Sequence, residues 1–569
     1  MKRIGYEQGS HLRNNVFSFL TSHLERNPDK AVLRWVIPEN LAKWSFSLNE
    51  NLPHEQMTFQ EMSVYISRVA QGYLDLGVNY GDRAILFLPM SPQMYISMFA
   101  LQMIGAIPVF LDSWARRTHL GASAAAVEPV LMISFEKAFE LCAPIPELKN
   151  LKLRIVAGPS TQKYDAHLEN LMQYNKVATP VAVEQEHTAL ITFTTGSSGT
   201  PKGANRSHRF LAAQHYALNQ CIPYQNNDVD LPVFPIFSLN NMAAGVTTVL
   251  PAIDVGVPSE KDALILCAQF ASAGVNCATL SPSLLNAVTN YSLANKIKLN
   301  TLRRTVTGGA PVSRDNVEAF KYAAHKSELW VLYGSTEAEP MAEIEAEEML
   351  AMTPPADPEI AEPGVNVGKI AKGLKTKFLK LNKNPIEVQN ISDWKSLVVP
   401  DGEPGEFIVA GEHVCNEYYN NPGAFKKAKI RDCDGTVWHR TGDVGYLDEK
   451  NHLWLIGRVH NTILRNDEML FPVRAEILLR RFSFVKLAAY LGAPEPKLGE
   501  KAICVVVCDG DKPELKQTRE NEVRRIFAKN NLPIDKLIFR TEMPMDPRHH
   551  SKVEYDALRT QLEKEGLLA

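Results

Sequence analysis

The densest chemical signal in the chain is Ile191-Thr-Phe-Thr-Thr-Gly-Ser-Ser-Gly-Thr-Pro-Lys-Gly203. Between Thr194 and Thr200 it gathers five hydroxyl side chains and two glycines ahead of Lys202. Hydroxyls, closely approachable backbone N–H groups and one ammonium are what a polyphosphate requires. The stretch is not a Walker A loop, because Pro201 stands where the second glycine belongs and Lys202 is followed by Gly203 instead of Ser or Thr. It follows an apolar strand pattern and is expected to lead into a helix from Arg206. Taken alone, such a stretch is more often a surface loop.

It is not alone. Downstream come Thr307-Gly-Gly-Ala-Pro311, Tyr333-Gly-Ser-Thr-Glu337, His439-Arg-Thr-Gly-Asp443 with Tyr446, Gly457-Arg458, and Asp546-Pro-Arg-His-His-Ser-Lys552. Each singly has a bland reading: Asp443 as a turn residue after Gly442, Lys552 as a solvated charge. Their order is what carries chemistry.

The elements that must position these groups show in the apolar runs. Arg83–Leu88, Ile107–Leu111, Pro129–Ser134, Leu153–Val156, Ala189–Thr194, Asp230–Phe234, Cys277–Leu280 and Arg304–Thr307 are short buried strands separated by helical or turn segments such as 92–103. This alternation predicts parallel sheets covered by helices. Segments 353–368 and 399–405 read as loops leading to a strand-rich region at 406–456, and 38–57 as a polar surface insertion. After Gly457 short strands (461–464, 486–490, 502–507, 536–539) alternate with helices (473–481, 520–530, 554–563), on the scale of a separate domain. Two domains are expected, 1–457 and 458–569.

At 569 residues the chain is too long for one core, and 45% hydrophobic with 22% charged residues is an ordinary globular composition. A formal charge of −3 gives no global basic footprint for nucleic acid. The eight cysteines form no C-x-x-C pair, and Cys504 and Cys508, two apart in strand period, read as core residues on one face. The longest apolar stretch, 98–111, is broken by Gln102, Gly105 and Pro108 and is shorter than a membrane span. No signal pattern follows the first residues, so a cytoplasmic location is expected.

In this ordered set the chain resembles the adenylate-forming superfamily of acyl-CoA synthetases, peptide-synthetase adenylation domains and luciferases, over about residues 18–565. The resemblance implies an α/β fold, with a large N-terminal body of two α/β sheets plus a distorted β-barrel and a small mobile C-terminal α+β domain. It also implies ATP and Mg²⁺ as cofactors and a small carboxylic acid as substrate. Residue by residue, Thr194, Thr195, Gly196, Ser197, Ser198, Gly199, Thr200 and Lys202 would wrap the β- and γ-phosphates. Gly309, Ala310 and Pro311 would border the adenine, on which Tyr333 stacks. Thr336 would touch the α-phosphate, Glu337 hold the metal, Asp443 take the ribose hydroxyls with Arg458 beside it at the hinge, and Lys552 bridge carboxylate and α-phosphate.

Departures from the thioester-forming relatives bear on the second half-reaction. Pro235-Ile-Phe-Ser238 lacks the gating histidine. After the hinge, Asn461 replaces an aspartate and Asp467 the glycine beside which a pantetheine arm would pass; the ending is Asp546-Pro-Arg-His-His-Ser-Lys552. The combination looks most like the β-lactone synthetase branch of olefin biosynthesis, although Leu111-Asp-Ser-Trp-Ala-Arg-Arg117 stands where that branch carries Asp-Pro-Gly-Met. The implied function is AMP-forming activation of a fatty or β-hydroxy fatty acid, followed by intramolecular lactone closure. The alternatives are a fatty acyl-CoA ligase and a free-standing acyl-AMP ligase. Other readings carry less weight. Ser134-Phe-Glu-Lys137 lacks the partner motifs of a β-lactamase, His549-His550 has no third metal ligand at suitable spacing, and a non-catalytic nucleotide-binding scaffold would not need Lys552, Glu337 and Asp443 together. Apolar residues of 234–245, 280–285 and 307–312, Phe234, Phe237 and Met242 among them, are expected to line the acyl pocket. Oligomeric state is not encoded in any motif.

Overall fold

A computed structural model describes residues 15–568 apart from 25, 112–116, 196–200, 255–257, 353–356, 358, 509, 511–512 and 546–552. Among the described residues three sheets organise the chain. The first has seven strands in the order Ala166–His167, Leu153–Val156, Leu131–Ser134, Arg83–Phe87, Ile107–Phe110, Thr188–Thr195, Pro201–Ser207; all neighbours are parallel except the last pair. The central strands Leu131–Ser134, Arg83–Phe87 and Ile107–Phe110 are buried on both faces and read as mostly apolar runs, as strands between two helix layers do. Helices Phe59–Asp75 and Pro92–Met103 cover one face, sharing a core with Phe17, Leu20 and Val32.

The second sheet has fourteen strands. Its parallel centre, Val229–Pro232, Cys277–Leu280, Arg304–Gly308 and Glu328–Ser335, is packed by helices Glu260–Ser272, Pro282–Ala294 and Arg314–Ala323. At Ala338–Glu345 the direction reverses, and Val365–Ile370, His452–Arg458, Val437–Leu447, Gly405–Ala410 and Lys375–Leu379 continue the same ladder antiparallel. The strand-rich region is therefore a direct continuation of the second sheet.

Beyond Arg458 a 3₁₀ turn, Val459–Asn461, leads to the third sheet. Strands Val485–Glu495 and Gly499–Cys508 form its long hairpin, Lys536–Arg540 pairs parallel to it, and helices Pro472–Arg480, Lys516–Lys529 and Tyr555–Lys564 cover its two faces. The hairpin outruns the strands read from sequence at both ends. Gly492 and Pro494 suggest a break, but their strand lies at the sheet edge, where a missing N–H is tolerated. Cys504 is buried in this core and Cys508 packs against it from the same face.

Two further sequence readings are corrected. The 38–57 insertion is not merely surface: Trp44 and Leu52 are buried against Ile265 and Ala268, and Glu55–Thr58 closes the edge of the large sheet. The 191–203 stretch does not pass from strand to helix. Pro201–Ser207 is itself a strand, pairing Thr194 with Lys202, and the helix begins only at His208 behind the N-cap Ser207. The helix therefore starts only after a seven-residue strand. No helix among the described residues is long and apolar enough to cross a membrane.

Candidate active site

Of the expected site residues that the structure describes, Gly309–Pro311 and Tyr333 lie at the ends of parallel strands of the large sheet, Asp443 and Arg458 on its antiparallel extension, and Thr194, Thr195 and Lys202 in the first sheet. Strand Arg304–Gly308 delivers Gly309, Ala310 and Pro311 into the turn before helix Arg314–Ala323, whose N-cap is Ser313. Two glycines are needed there for different reasons. A Cβ on Gly308 would lie 2.2 Å from the Leu332 carbonyl oxygen, and Gly309 adopts φ +85°.

The neighbouring strand, Glu328–Ser335, carries Tyr333 and leads to Thr336 and Glu337, and each end of this short segment anchors one cluster. At the first end the Tyr333 hydroxyl donates to Asp443 Oδ2 at 2.6 Å. Arg458 Nε lies 3.0 Å from Asp443 Oδ1. Asp443 and Arg458 are direct partners in the ladder between Val437–Leu447 and His452–Arg458. Thr441 fixes this corner, donating to the Phe407 carbonyl at 2.7 Å while its oxygen accepts from the Asp443 amide at 3.0 Å. Burial, and then the Asp443 carboxylate, push the Tyr333 phenol well above its ordinary range, so it remains a donor at neutral pH. Replacing Tyr333 by Phe is expected to release one oxygen of Asp443 at a cost on the order of 1 kcal/mol. A raised KM for ATP with little change in unfolding temperature would show it; an unchanged KM would detach Tyr333 from nucleotide binding.

At the other end Tyr418 donates its hydroxyl to Glu337 Oε1 at 2.8 Å. The Tyr418 ring is flanked by two ammonium groups, Lys202 at 5.8 Å and Lys429 at 5.5 Å from its centroid. Lys429 is buried and donates to the Cys415 carbonyl. Burial opposes ionisation of Glu337, but His439, Lys429 and the Tyr418 hydroxyl outweigh it and hold the carboxyl below its usual range. The hairpin strand is stitched to this cluster. Tyr419 donates to the Gly203 carbonyl at 2.8 Å, and buried Arg206 donates to the Thr336 carbonyl at 2.9 Å. Lys202 is thereby brought to Glu337.

Thr194, next to last in its strand, has a buried hydroxyl with no partner among the described residues, and Thr195 pairs in register with Pro201. Gly196, Ser197, Ser198, Gly199, Thr200 and Lys552 lie outside the described residues. Tyr418, Lys429 and Arg206 were not found by sequence reasoning. Each enters through contacts across long separations, and an inward lysine in Lys429–Arg431 has no local signature.

A cavity of about 50 Å³ lies between helices Phe17–Leu24, Pro92–Met103, His208–Cys221 and Pro235–Ala243, walled largely by Leu20, Met98, Phe99, Leu211, Leu218 and Leu239. Of the segments expected to line an acyl pocket, 234–245 contributes to this cavity. Helical periodicity puts Ile236, Leu239, Asn240 and Ala243 on the cavity side of their helix. Phe237 points instead to Val306 and Leu332, and Met242 to the core of the first sheet. Phe234 and segments 280–285 and 307–312 do not line this cavity. Ser238 is also on the far face, fully buried beside Tyr95, so no side chain at 238 reaches the cavity mouth. Asp467 sits at an exposed hairpin tip. Asn466 (φ 51°) and Asp467 (φ 63°) form the two-residue turn between Ile463–Arg465 and Glu468–Leu470, and Asn and Asp tolerate left-handed conformations better than other non-glycine residues.

The molecule has relatives of known activity. An olefin β-lactone synthetase of Stenotrophomonas maltophilia is 27% identical over 523 residues, 88% of this chain and 90% of the relative. A long-chain-fatty-acid–CoA ligase of Thermus thermophilus is 26% identical over 504 residues, 86% of this chain and 87% of the relative. In fold the chain is similar to ATP-bound MatB from Rhodopseudomonas palustris, with a TM-score of 0.75 and 19% identity over 97% of this chain and 99% of that one. The family described as AMP-binding enzyme matches residues 20–419. With the ordered motifs assembled around Tyr333–Glu337 and the family's pattern running through most of its length, the chain belongs to the AMP-binding enzymes, the adenylate-forming enzymes that activate an acid at the expense of ATP.

Proposed function

We propose that this enzyme activates a fatty acid carrying a β-hydroxyl and closes the resulting adenylate to a β-lactone. The observation that carries the acyl half of this reading is the largely apolar cavity, linked to the Tyr333–Glu339 segment through Gln214 and Glu339, which suits an alkyl chain. The likeness to the β-lactone synthetase of S. maltophilia supports the second half.

In this reading Asp443 accepts the ribose hydroxyls, Tyr333 and Gly309–Pro311 hold the adenine, and Thr194–Thr200 with Lys202 hold the terminal phosphates. Thr336 and Lys552 meet the α-phosphate. The hard, ionised carboxylate of Glu337 suits Mg²⁺, which takes oxygen ligands; bound there with ATP, the ion supplies charge neutralisation. The acid's carboxylate oxygen attacks the α-phosphorus and pyrophosphate leaves. Lys202 and Lys429 stabilise the departing anion through charge, Lys429 from its buried place behind Tyr418. The substrate's own hydroxyl oxygen then attacks the adenylate carbonyl carbon, the bond to AMP breaks, and the hydroxyl proton is given up. Such an intramolecular attack has an effective molarity of up to ~10⁵–10⁸ M when well oriented, which offsets part of the strain of a four-membered ring.

The test is purified protein with ATP, Mg²⁺ and acids with and without a β-hydroxyl, each with and without CoA, read by mass spectrometry. AMP, pyrophosphate and the dehydrated cyclic product are expected from the β-hydroxy acid without CoA, and at most a slow or stalled adenylate from the plain acid. CoA-dependent AMP formation with a thioester as main product would establish the acyl-CoA ligase instead.

The reading also makes 458–569 a domain that turns about Arg458 to bring Lys552 to the site. ATP plus acid is then expected to protect the 457–466 segment from proteolysis; equal cleavage with and without ligands removes the hinge.

A further inference from the structure

The wall of the cavity is apolar except at Gln102, Gln214, His215 and Asn240. Oε1 of Gln102 and Oε1 of Gln214 have no hydrogen-bond partner among the described residues, and both residues line the cavity. They are 1% and 2% exposed. The nitrogen of each amide is committed elsewhere. Gln102 Nε2 donates to the Ala189 carbonyl at 2.9 Å, and Gln214 Nε2 to Glu339 Oε2 at 3.4 Å. The oxygens therefore face away from those anchors. A buried acceptor left alone costs about 1–3 kcal/mol, and an amide oxygen can only accept. What satisfies it must bring an O–H or N–H, which a plain alkyl chain does not.

The other polar residues of the wall, His215 and Asn240, are already paired with each other. His215 Nδ1 lies 2.7 Å from Asn240 Oδ1, which can only accept, so that nitrogen carries a proton; Asn219 Nδ2 lies 3.1 Å from the other ring nitrogen. Neither competes for the Gln214 oxygen. Gln214 is also the glutamine nearer the reacting end. Its anchor Glu339 packs on Gly334, where a Cβ would stand 3.1 Å from Glu339 Cγ, and Gly334 lies between Tyr333 and Thr336. Gln102 is anchored instead at the start of strand Thr188–Thr195.

We propose that Gln214 Oε1 accepts a hydrogen bond from a hydroxyl on the acyl chain and is the specificity-determining residue that selects hydroxylated acids over plain ones. The inference rests on the acid-activation reading above and assigns the recognition of the hydroxyl to one atom. Because Gln214 is held by Glu339, the bond also fixes that hydroxyl beside the segment where the adenylate forms.

The experiment compares pyrophosphate release from a β-hydroxy fatty acid and from the plain acid of the same chain length, in the wild type and in Gln214→Met. The wild type is expected to favour the hydroxylated acid by about tenfold or more in kcat/KM, because a site built to bind a hydroxyl leaves its own polar atom unpaired with the analogue. Gln214→Met, close in volume but without the acceptor, is expected to bring that ratio to about one while the plain acid keeps its kcat/KM within a few-fold. The readout is a ratio within one protein, so a loss of folded material moves both terms alike. Should the methionine variant not fold, Gln214→Asn, which withdraws the oxygen, is expected to narrow the ratio. A wild type without preference, or a variant that keeps it, overturns the proposal. Absence of pyrophosphate release from either acid overturns the activation reading itself.

Discussion

Replacing Lys552 by alanine is expected to slow adenylate formation about a hundred- to a thousand-fold, the range found when one preorganised donor to a developing anion is removed. The argument starts from charge. A carboxylate approaching the α-phosphate of ATP brings one anion to another, and the described cations, Lys202, Lys429 and Arg206, cluster at the Glu337 end of the Tyr333–Glu337 segment. At the Tyr333 end the only described cation of the cluster, Arg458, is already engaged by Asp443. A further cation is required where acid and α-phosphate meet, and Lys552 is the one the family resemblance supplies. In the proposed reading the nucleotide is held by residues of the N-terminal body, so ATP affinity should change little. Equilibrium binding and pyrophosphate exchange on the same preparation separate the two effects, and undiminished exchange in Lys552→Ala would remove this residue from the reaction.

The largest loss of stability from a single substitution near the site is expected at Glu406. Its carboxylate is 2% exposed and receives Arg440 Nη2 at 2.6 Å and Nε at 3.0 and 3.1 Å. The remaining guanidinium N–H groups go to the Asn382 and Asn384 carbonyls at 2.5 and 2.7 Å. Glu406→Ala leaves a buried cation without its counter-charge, which costs about 3–5 kcal/mol. Arg440 immediately precedes Thr441 and sits three residues before Asp443, so the nucleotide corner should loosen with it. A lower unfolding midpoint in urea and a raised KM for ATP are expected together. The double variant Glu406→Met, Arg440→Met should recover much of the stability, because it removes both charges. A double variant less stable than the single one would show that the pair is not the source of the loss.

The contrast between these two residues bears on how far the sequence reaches. Lys552 is legible because it ends an ordered series of short motifs. Glu406 and Arg440 are not, because their importance lies in a contact across 34 positions. The same division runs through the fold. A parallel strand such as Cys277–Leu280 coincides with the run read from sequence, since burial on both faces leaves few polar residues. Pro201–Ser207, with Pro, Gly and Asn in its seven residues, has nothing of a strand in its composition. It is extended because Thr188–Thr195 offers a partner and because Gly203 allows Ile191 and Phe193 to close over it, at 3.0 and 3.3 Å from where a Cβ would be. In the site, Tyr333, Glu337 and Asp443 stand out by motif, whereas Tyr418, Lys429 and Gln214 depend on which distant segments the sheet brings together.

The main path of this sheet, thirteen of its fourteen strands, also ends in two border strands with a row of N–H and C=O groups turned outward, and such rows can template the addition of another chain. Here one border is Glu55–Thr58, four residues long, with Glu55 and Gln56 exposed. The other is Lys375–Leu379, where Lys375 is exposed, Lys377 lies over the rings of Trp394 and Trp438, and Leu379 is closed by a bridge to Val398. Short borders bearing charge offer no flat apolar register for a second copy to extend. The ladder that joins the nucleotide corner to the parallel strands can therefore remain open without inviting amyloid-like stacking from either side.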